Sequence, residues 1–221
     1  MIRFLSRFAA PLTIAALMAA TPAAQAGVIF SDNFDTDEES TSLDFGAFVN
    51  WDVKGGNKNN PHTVDYIRNG GYSINCSGNL GGCVDLDGST FKAGLMTTKN
   101  SFALFAGTTY LFSLDLSGNQ RNGLTDGVTF GFDGFGEQTE PLSGKGFNTY
   151  VFSFTPDADV MTKLFIKDSG RNGNDNIGAI LDNVSLSSVT PAAAAEVPEP
   201  GTLALLGLGL AALGLRRRRA A

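Results

Sequence analysis

Short runs in which apolar and polar residues alternate fill the middle of the chain and restrict its fold most strongly. Residues 110–117, 128–133 and 150–155 all follow this period of two. Because successive side chains of a β-strand point to opposite faces, the pattern predicts antiparallel strands with one buried face. Turn-forming Gly, Asn, Asp and Pro residues separate the runs.

Further runs of strand-forming residues raise the total to about ten strands. They cover residues 28–34, 47–53, 63–67, 82–86, 94–98, 160–167 and 179–186. Many short strands with glycine-rich turns are typical of two packed sheets. The sequence therefore predicts an all-β fold, a single β-sandwich of jelly-roll type, over residues 27–189.

The charge of this region limits its partners. Residues 27–200 contain ten Lys and Arg and all 22 Asp and Glu of the chain, which gives a net charge of −12. Nucleic acid and anionic membranes would repel such a surface, so neither is expected as a partner. Divalent cations and neutral polar ligands remain open.

The first 26 residues have the layout of a secretory signal peptide. Arg3 and Arg7 precede an apolar stretch over residues 8–20, and Ala24-Gln25-Ala26 forms a small-residue cleavage site. This order predicts export, with cleavage after Ala26. An uncleaved anchor is the alternative.

The C-terminus carries a second targeting pattern, over residues 197–221. A linker (190–196) leads to Pro198, Glu199 and Pro200, then to 14 uncharged residues (202–215) and four arginines (216–219). As a helix the apolar segment would span about 21 Å, less than the hydrocarbon core of a bilayer. It predicts a marginal, transient membrane anchor whose arginines stay in the cytoplasm.

This tail resembles the PEP-CTERM sorting signal of Gram-negative bacteria. The resemblance implies recognition of Pro198, Glu199 and Pro200 by exosortase, a membrane transpeptidase, and delivery to the cell surface or the extracellular matrix. The two prolines suit that role, since they keep the segment extended. The alternative is a plain single-pass anchor behind a proline-rich linker.

The two cysteines, Cys76 and Cys83, enclose a glycine-rich loop. In an exported chain such a pair predicts a disulfide. A zinc site lacks the necessary ligands, because His62 is the single histidine of the chain. His62 also lacks the sequence context of a catalytic triad.

The body of the chain resembles carbohydrate-binding modules with galactose-binding-like jelly rolls. The resemblance rests on residues 31–35 (SDNFD), 83–90 (CVDLDGST) and 179–186 (AILDNVSL). It implies a structural calcium ion where the first and last strands meet, with Asp35 and Asp182 among its ligands. The alternative is that these aspartates are solvated turn residues.

Sugar recognition needs an exposed aromatic ring and planar polar side chains. The candidates are Tyr66 and Tyr72 as rings, with Asn119 and Arg121 as polar partners. Trp51 alternates with Val53 and is expected in the core instead.

These observations predict an exported, noncatalytic binding or structural module of the cell surface or biofilm matrix, with extracellular polysaccharide as its expected ligand. Two alternatives stay open. One is a glycan-degrading enzyme that uses a pair of carboxylates, although the sequence does not identify the pair. The other is a structural surface protein that assembles with itself.

Overall fold

The structure is a computed structural model, and it describes residues 25–55, 63–89, 92–121, 125–169, 176–190 and 210. These residues form two packed antiparallel sheets, which confirms the predicted β-sandwich. The sandwich occupies Gln25–Thr190, against a predicted extent of residues 27–189. None of the described residues belongs to a helix long and apolar enough to cross a membrane. The apolar tail, apart from Leu210, lies outside them.

The first sheet has six strands. In spatial order they are β12 (Asn148–Phe154), β9 (Thr109–Ser117), β15 (Ile180–Thr190), β4 (Gly82–Asp85) and β3 (Asp65–Arg68), with β1 (Gln25–Asp32) also paired to β15.

The second sheet has five strands. Their spatial order is β11 (Gly136–Leu142), β10 (Asp126–Phe132), β14 (Leu164–Asp168), β7 (Leu95–Thr98) and β2 (Trp51–Lys54). Two short ladders lie outside the main sheets, β5 (Asp87–Gly88) with β6 (Lys92–Ala93) and β8 (Phe102–Leu104) with β13 (Val160–Thr162). Gly71–Ser73 and Ser77–Asn79 form 3₁₀ turns.

The core lies between the sheets and is rich in aromatic rings. Phe112 of β9 meets Phe130 of β10 edge to face, with 5.7 Å between ring centroids. Such a contact adds about 0.5–1.5 kcal/mol to the stabilisation from area burial alone. Trp51 is fully buried, as predicted, and its indole N–H donates to Asp32 Oδ2 at 2.9 Å.

The chain passes repeatedly from one sheet to the other. It crosses between β9 and β10, between β11 and β12, and between β14 and β15. These crossings give the jelly-roll arrangement that the sequence predicts.

Several strands differ from the prediction, among them the short strands β5, β6 and β8, which were not expected. Residues 160–167 form two strands, because β13 pairs with β8 while β14 joins the second sheet. The strand β11 was not expected at all. It is an edge strand exposed along most of its length, so it shows no alternation of apolar residues.

Candidate functional site

A shallow groove of about 650 Å³ runs across the outer face of the second sheet. One row of paired residues crosses the middle of the groove and includes one residue from each of the five strands. In this row Thr97 pairs with Asp52 on one side and with Phe165 on the other. The row continues to Gly131 and Glu137. Side chains that alternate inward and outward along each strand place this row on the solvent side.

The ring of Phe165 lies near the centre of this groove. Its neighbours along β14, Leu164 and Ile166, are fully buried, so Phe165 points outward. Beside it stands Gly131, whose position has no room for a side chain. A Cβ atom there would lie 2.1 Å from the carbonyl oxygen of Gly136 in the next strand. The flank of the Phe165 ring is therefore free of side chains on that strand.

Polar and charged groups surround the ring. Lys167 Nζ lies 5.8 Å from the centroid of Phe165 and 3.8 Å from Glu137 Oε2. Lys54, Lys163 and Asp133 also line the groove, and Phe135 adds a second ring that is 43% exposed. An aromatic ring among hydrogen-bonding groups is suited to a ligand with one apolar face and polar edges.

A second feature is the junction where β1 and β4 meet along β15. Leu181 of β15 pairs with β4, whereas Val184 pairs with Asp32 of β1. Between them the strand is irregular, and Asn183 has a positive φ of 46°.

The two predicted metal ligands both lie at this junction and accept hydrogen bonds there. Asp35 Oδ1 accepts the N–H of Gly82 at 3.0 Å. Asp182 accepts the N–H of Ser77 at 2.9 Å and that of Asn183 at 2.7 Å. Each bond uses one lone pair of an oxygen that has two.

Burial raises the pKa of Asp182 to about 7, although the N–H groups of Asn183 and Ser77 oppose the shift. The negative charges of Asp35 and Asp115 raise it further. Among the described residues no group of three or more Asp, Glu, His or Cys side chains is arranged to hold a metal. A calcium ion at the junction would therefore need backbone carbonyls or water as additional ligands.

A third feature is a small cavity of about 150 Å³ beside a buried ion pair. Arg121 Nη2 lies 2.6 Å from Asp85 Oδ2. Burial raises the pKa of Asp85, while Arg121 acts to lower it. Tyr72, 58% exposed, stands at the cavity with Arg121.

The structure corrects two of the predicted ligand-binding residues. Tyr66 is 0% exposed, with its hydroxyl donating to the carbonyl of Glu38 at 2.9 Å, so its ring is not available to a sugar. Asn119 is 2% exposed and accepts the backbone N–H of Arg121 at 2.8 Å, which is a structural contact. Tyr72 and Arg121 do come together, but the arginine already binds Asp85.

The predicted disulfide between Cys76 and Cys83 is present, with 5.4 Å between the Cα atoms. Both cysteines are buried in a small cluster with Ile67, Ile74 and Ile180. The bridge therefore fastens the turns before β4 to the first sheet.

Sequence reasoning missed Phe165 and Phe135 as the rings of the groove. A signal for Phe165 was present, since Leu164 and Ile166 flank it within an alternating run between Lys163 and Lys167. The predicted His62 loop lies outside the described residues.

These features describe an all-β sandwich with an open aromatic groove. At the C-terminus of the chain, residues 196–219 match the PEP-CTERM protein-sorting motif. The match confirms the resemblance stated for the tail, and it includes Pro198, Glu199 and Pro200. These three residues lie outside the described part of the chain.

Solved structures with a similar architecture are mainly carbohydrate-binding modules. The N-terminal CBM22-1–CBM22-2 tandem domain from Paenibacillus barcinonensis is 13% identical, with a TM-score of 0.46, over 81% of this chain and 49% of that one. The CBM22-1–GH10 modules of Clostridium thermocellum endo-1,4-β-D-xylanase 10B, complexed with xylohexaose, are 14% identical at a TM-score of 0.43. That match covers 76% of this chain and 30% of the xylanase chain.

A third neighbour is TmCBM61 in complex with β-1,4-galactotriose. It is 16% identical, with a TM-score of 0.41, over 70% of this chain and 92% of that one. No curated protein sequence matches this one.

Proposed function

We propose that this protein is an exported, noncatalytic glycan-binding module that is sorted to the cell surface or the extracellular matrix. The groove around Phe165 is the observation that carries the proposal. The C–H face of a sugar ring is apolar and would stack on Phe165, while Asp52, Thr97 and Lys54 supply donors and acceptors for hydroxyl groups.

The shape of the groove favours a polymer over a small metabolite. It lies open on a sheet face rather than in an enclosed cavity, and its residues come from all five strands. An extended chain can cross such a face and continue beyond it at both ends.

The test is a glycan array with the full chain purified in mild detergent. Phe165→Ala should weaken binding about tenfold or more, because it removes a central aromatic contact. Phe105→Ala is the matched control, since Phe105 is 58% exposed but lies outside the groove. Equal loss in both variants, or no retained glycan in the parent protein, would refute the proposal. Release of sugar fragments from an arrayed polysaccharide would instead favour the alternative of a glycan-degrading enzyme.

The sorting route is proposed from the tail. After export the apolar segment would hold the protein in the membrane until exosortase cuts near Pro198-Glu199-Pro200. Replacing Glu199 with Ala should leave an uncut precursor in the membrane fraction of the native host. Normal processing of that variant would contradict the assigned recognition role.

Calcium is proposed as a structural cofactor at the junction, held in part by Asp35 and Asp182. A divalent cation would offset the mutual repulsion of Asp182 with Asp35 and Asp115. The midpoint of thermal unfolding should then be higher in calcium than in EGTA. A midpoint that is the same in both, or a Ca²⁺ effect that survives in Asp182→Asn, would refute this site.

A further inference from the structure

Lysines are concentrated in the groove although the domain as a whole is strongly acidic. Of the eight Lys and Arg residues that the structure describes, Lys54, Lys163 and Lys167 line it. Other basic groups are engaged by the protein itself: Arg121 pairs with Asp85, and Arg68 donates to the carbonyl of Asp35.

The position of these lysines is more informative than their number. The strand β14 is the central strand of its sheet, and Lys163, Phe165 and Lys167 line the groove at alternate positions along this part of the chain. The Cα atoms of two strand residues four positions apart are separated by about 13 Å, so the two lysines flank Phe165 along the strand. The Lys167 ammonium lies over the ring of Phe165, 5.8 Å from its centroid.

The acidic residues of the groove lie at its margins. Asp52 is on the edge strand β2, Glu137 is on the edge strand β11, and Asp133 follows the end of β10. Glu137 faces Lys167, which leaves Lys54 and Lys163 without an ion pair among the described residues. Lys54 shares the edge strand β2 with Asp52, whereas Lys163 and Lys167 flank Phe165 along the central strand. Charges beyond about 8–10 Å are largely screened at physiological ionic strength, so these two lysines act most strongly on a ligand stacked on Phe165.

From this arrangement we propose that the ligand of the groove is an anionic polysaccharide that carries carboxylates, such as a polyuronate. The inference rests on the proposed glycan-binding function and names its substrate class. A polyuronate has a carboxylate on every sugar ring. One ring can therefore stack on Phe165 while neighbouring carboxylates meet Lys163 and Lys167.

The experiment compares pairs of glycans that share a backbone and differ in charge. Immobilised polygalacturonate and alginate are presented to the full chain beside their methyl-esterified forms, with neutral xylan and galactan as further probes. We expect tighter binding to the acidic forms, and the preference should shrink as salt is added.

Variants assign this preference to the groove. Lys163→Gln and Lys54→Gln should each weaken binding to the acidic forms about two- to fivefold, the range expected for exposed ion pairs. The loss should be smaller for the methyl esters, because Gln keeps an N–H donor for hydroxyl groups and removes only the charge. Lys163→Arg should retain the preference, and Lys145→Gln is the control that removes a charge from an exposed turn outside the groove.

The outcomes separate this inference from the function on which it rests. Equal binding to acid and ester forms, or retention of neutral glycans alone, would overturn the anionic ligand and leave the glycan-binding function intact. Equal weakening of binding by Lys145→Gln and Lys163→Gln would also overturn the anionic ligand and leave the glycan-binding function intact. Retention of no glycan would overturn both.

Discussion

At the scale of single residues, the carboxyl of Asp182 shows how burial couples the fold to pH. Its pKa of about 7 lies well above the ordinary value of 3.8. The folded protein therefore holds a proton over a pH range in which the unfolded chain has released it. The stabilisation that protonated Asp182 contributes is complete below about pH 4 and is lost as the pH rises through about 7.

We expect the free energy of unfolding in EGTA to fall between about pH 5 and 7, by at most about 1.4 kcal/mol per pH unit for this group. Asp182→Asn should remove the contribution of Asp182 to the pH slope of the free energy of unfolding. The contribution of Asp85, whose pKa is also raised by burial, should remain. Urea unfolding at several pH values measures the slope. Asp157→Asn removes the same charge from an exposed loop and should leave the slope unchanged. A slope in Asp182→Asn equal to that of the parent protein would contradict this account.

At the scale of elements, the hairpin of β10 and β11 depends on close approach of two backbones at Gly131. The nearest obstacles to a Cβ atom there are the Gly136 oxygen at 2.1 Å and Glu137 Cα at 2.7 Å. Both are backbone atoms, so a side chain at this position would have to separate the strands.

Gly131→Ala should therefore cost about 1–3 kcal/mol of stability, as overpacking usually does. It should also weaken glycan binding, because the hairpin borders Phe165. Gly146→Ala is the control, since nothing lies within 4 Å of a Cβ atom at Gly146. Its effect should stay within about 0.5 kcal/mol. Equal urea midpoints for the two variants would show that the hairpin tolerates the added carbon.

At the scale of the whole molecule, net charge opposes compactness. Residues 27–200 carry a net charge of −12, and the described residues form two ion pairs, Arg121–Asp85 and Lys167–Glu137. Repulsion among the unpaired carboxylates should exceed the attraction in these pairs.

Added salt should therefore stabilise the protein. We expect the thermal midpoint to rise as NaCl increases from about 0.01 M to about 0.3 M, since the screening length falls from about 30 Å to less than 8 Å. Differential scanning calorimetry with NaCl and with KCl measures the effect, which should be the same for both. A midpoint that falls with salt would mean that attractive pairs dominate.

Local pattern predicted the long strands well. In β9 and β12 one face packs on the core and the other meets solvent or a neighbour, so the alternation is visible in the sequence. The alternation failed to predict β11, because its polar residues Glu137, Gln138 and Glu140 leave no apolar face. It also failed at residues 160–167, where one run supplies strands to two different sheets.

The sequence by itself determined the alternating strands, the C-terminal sorting motif and the disulfide, because each depends on residues close together in the chain. Only the tertiary structure decided which rings meet solvent. Tyr66 is buried because Phe45 and Phe48, from a loop some twenty residues away, pack on its ring with centroids 5.6 and 6.4 Å distant. The flank of the Phe165 ring stays open because the strand beside it carries Gly131, and that pairing joins residues far apart in sequence.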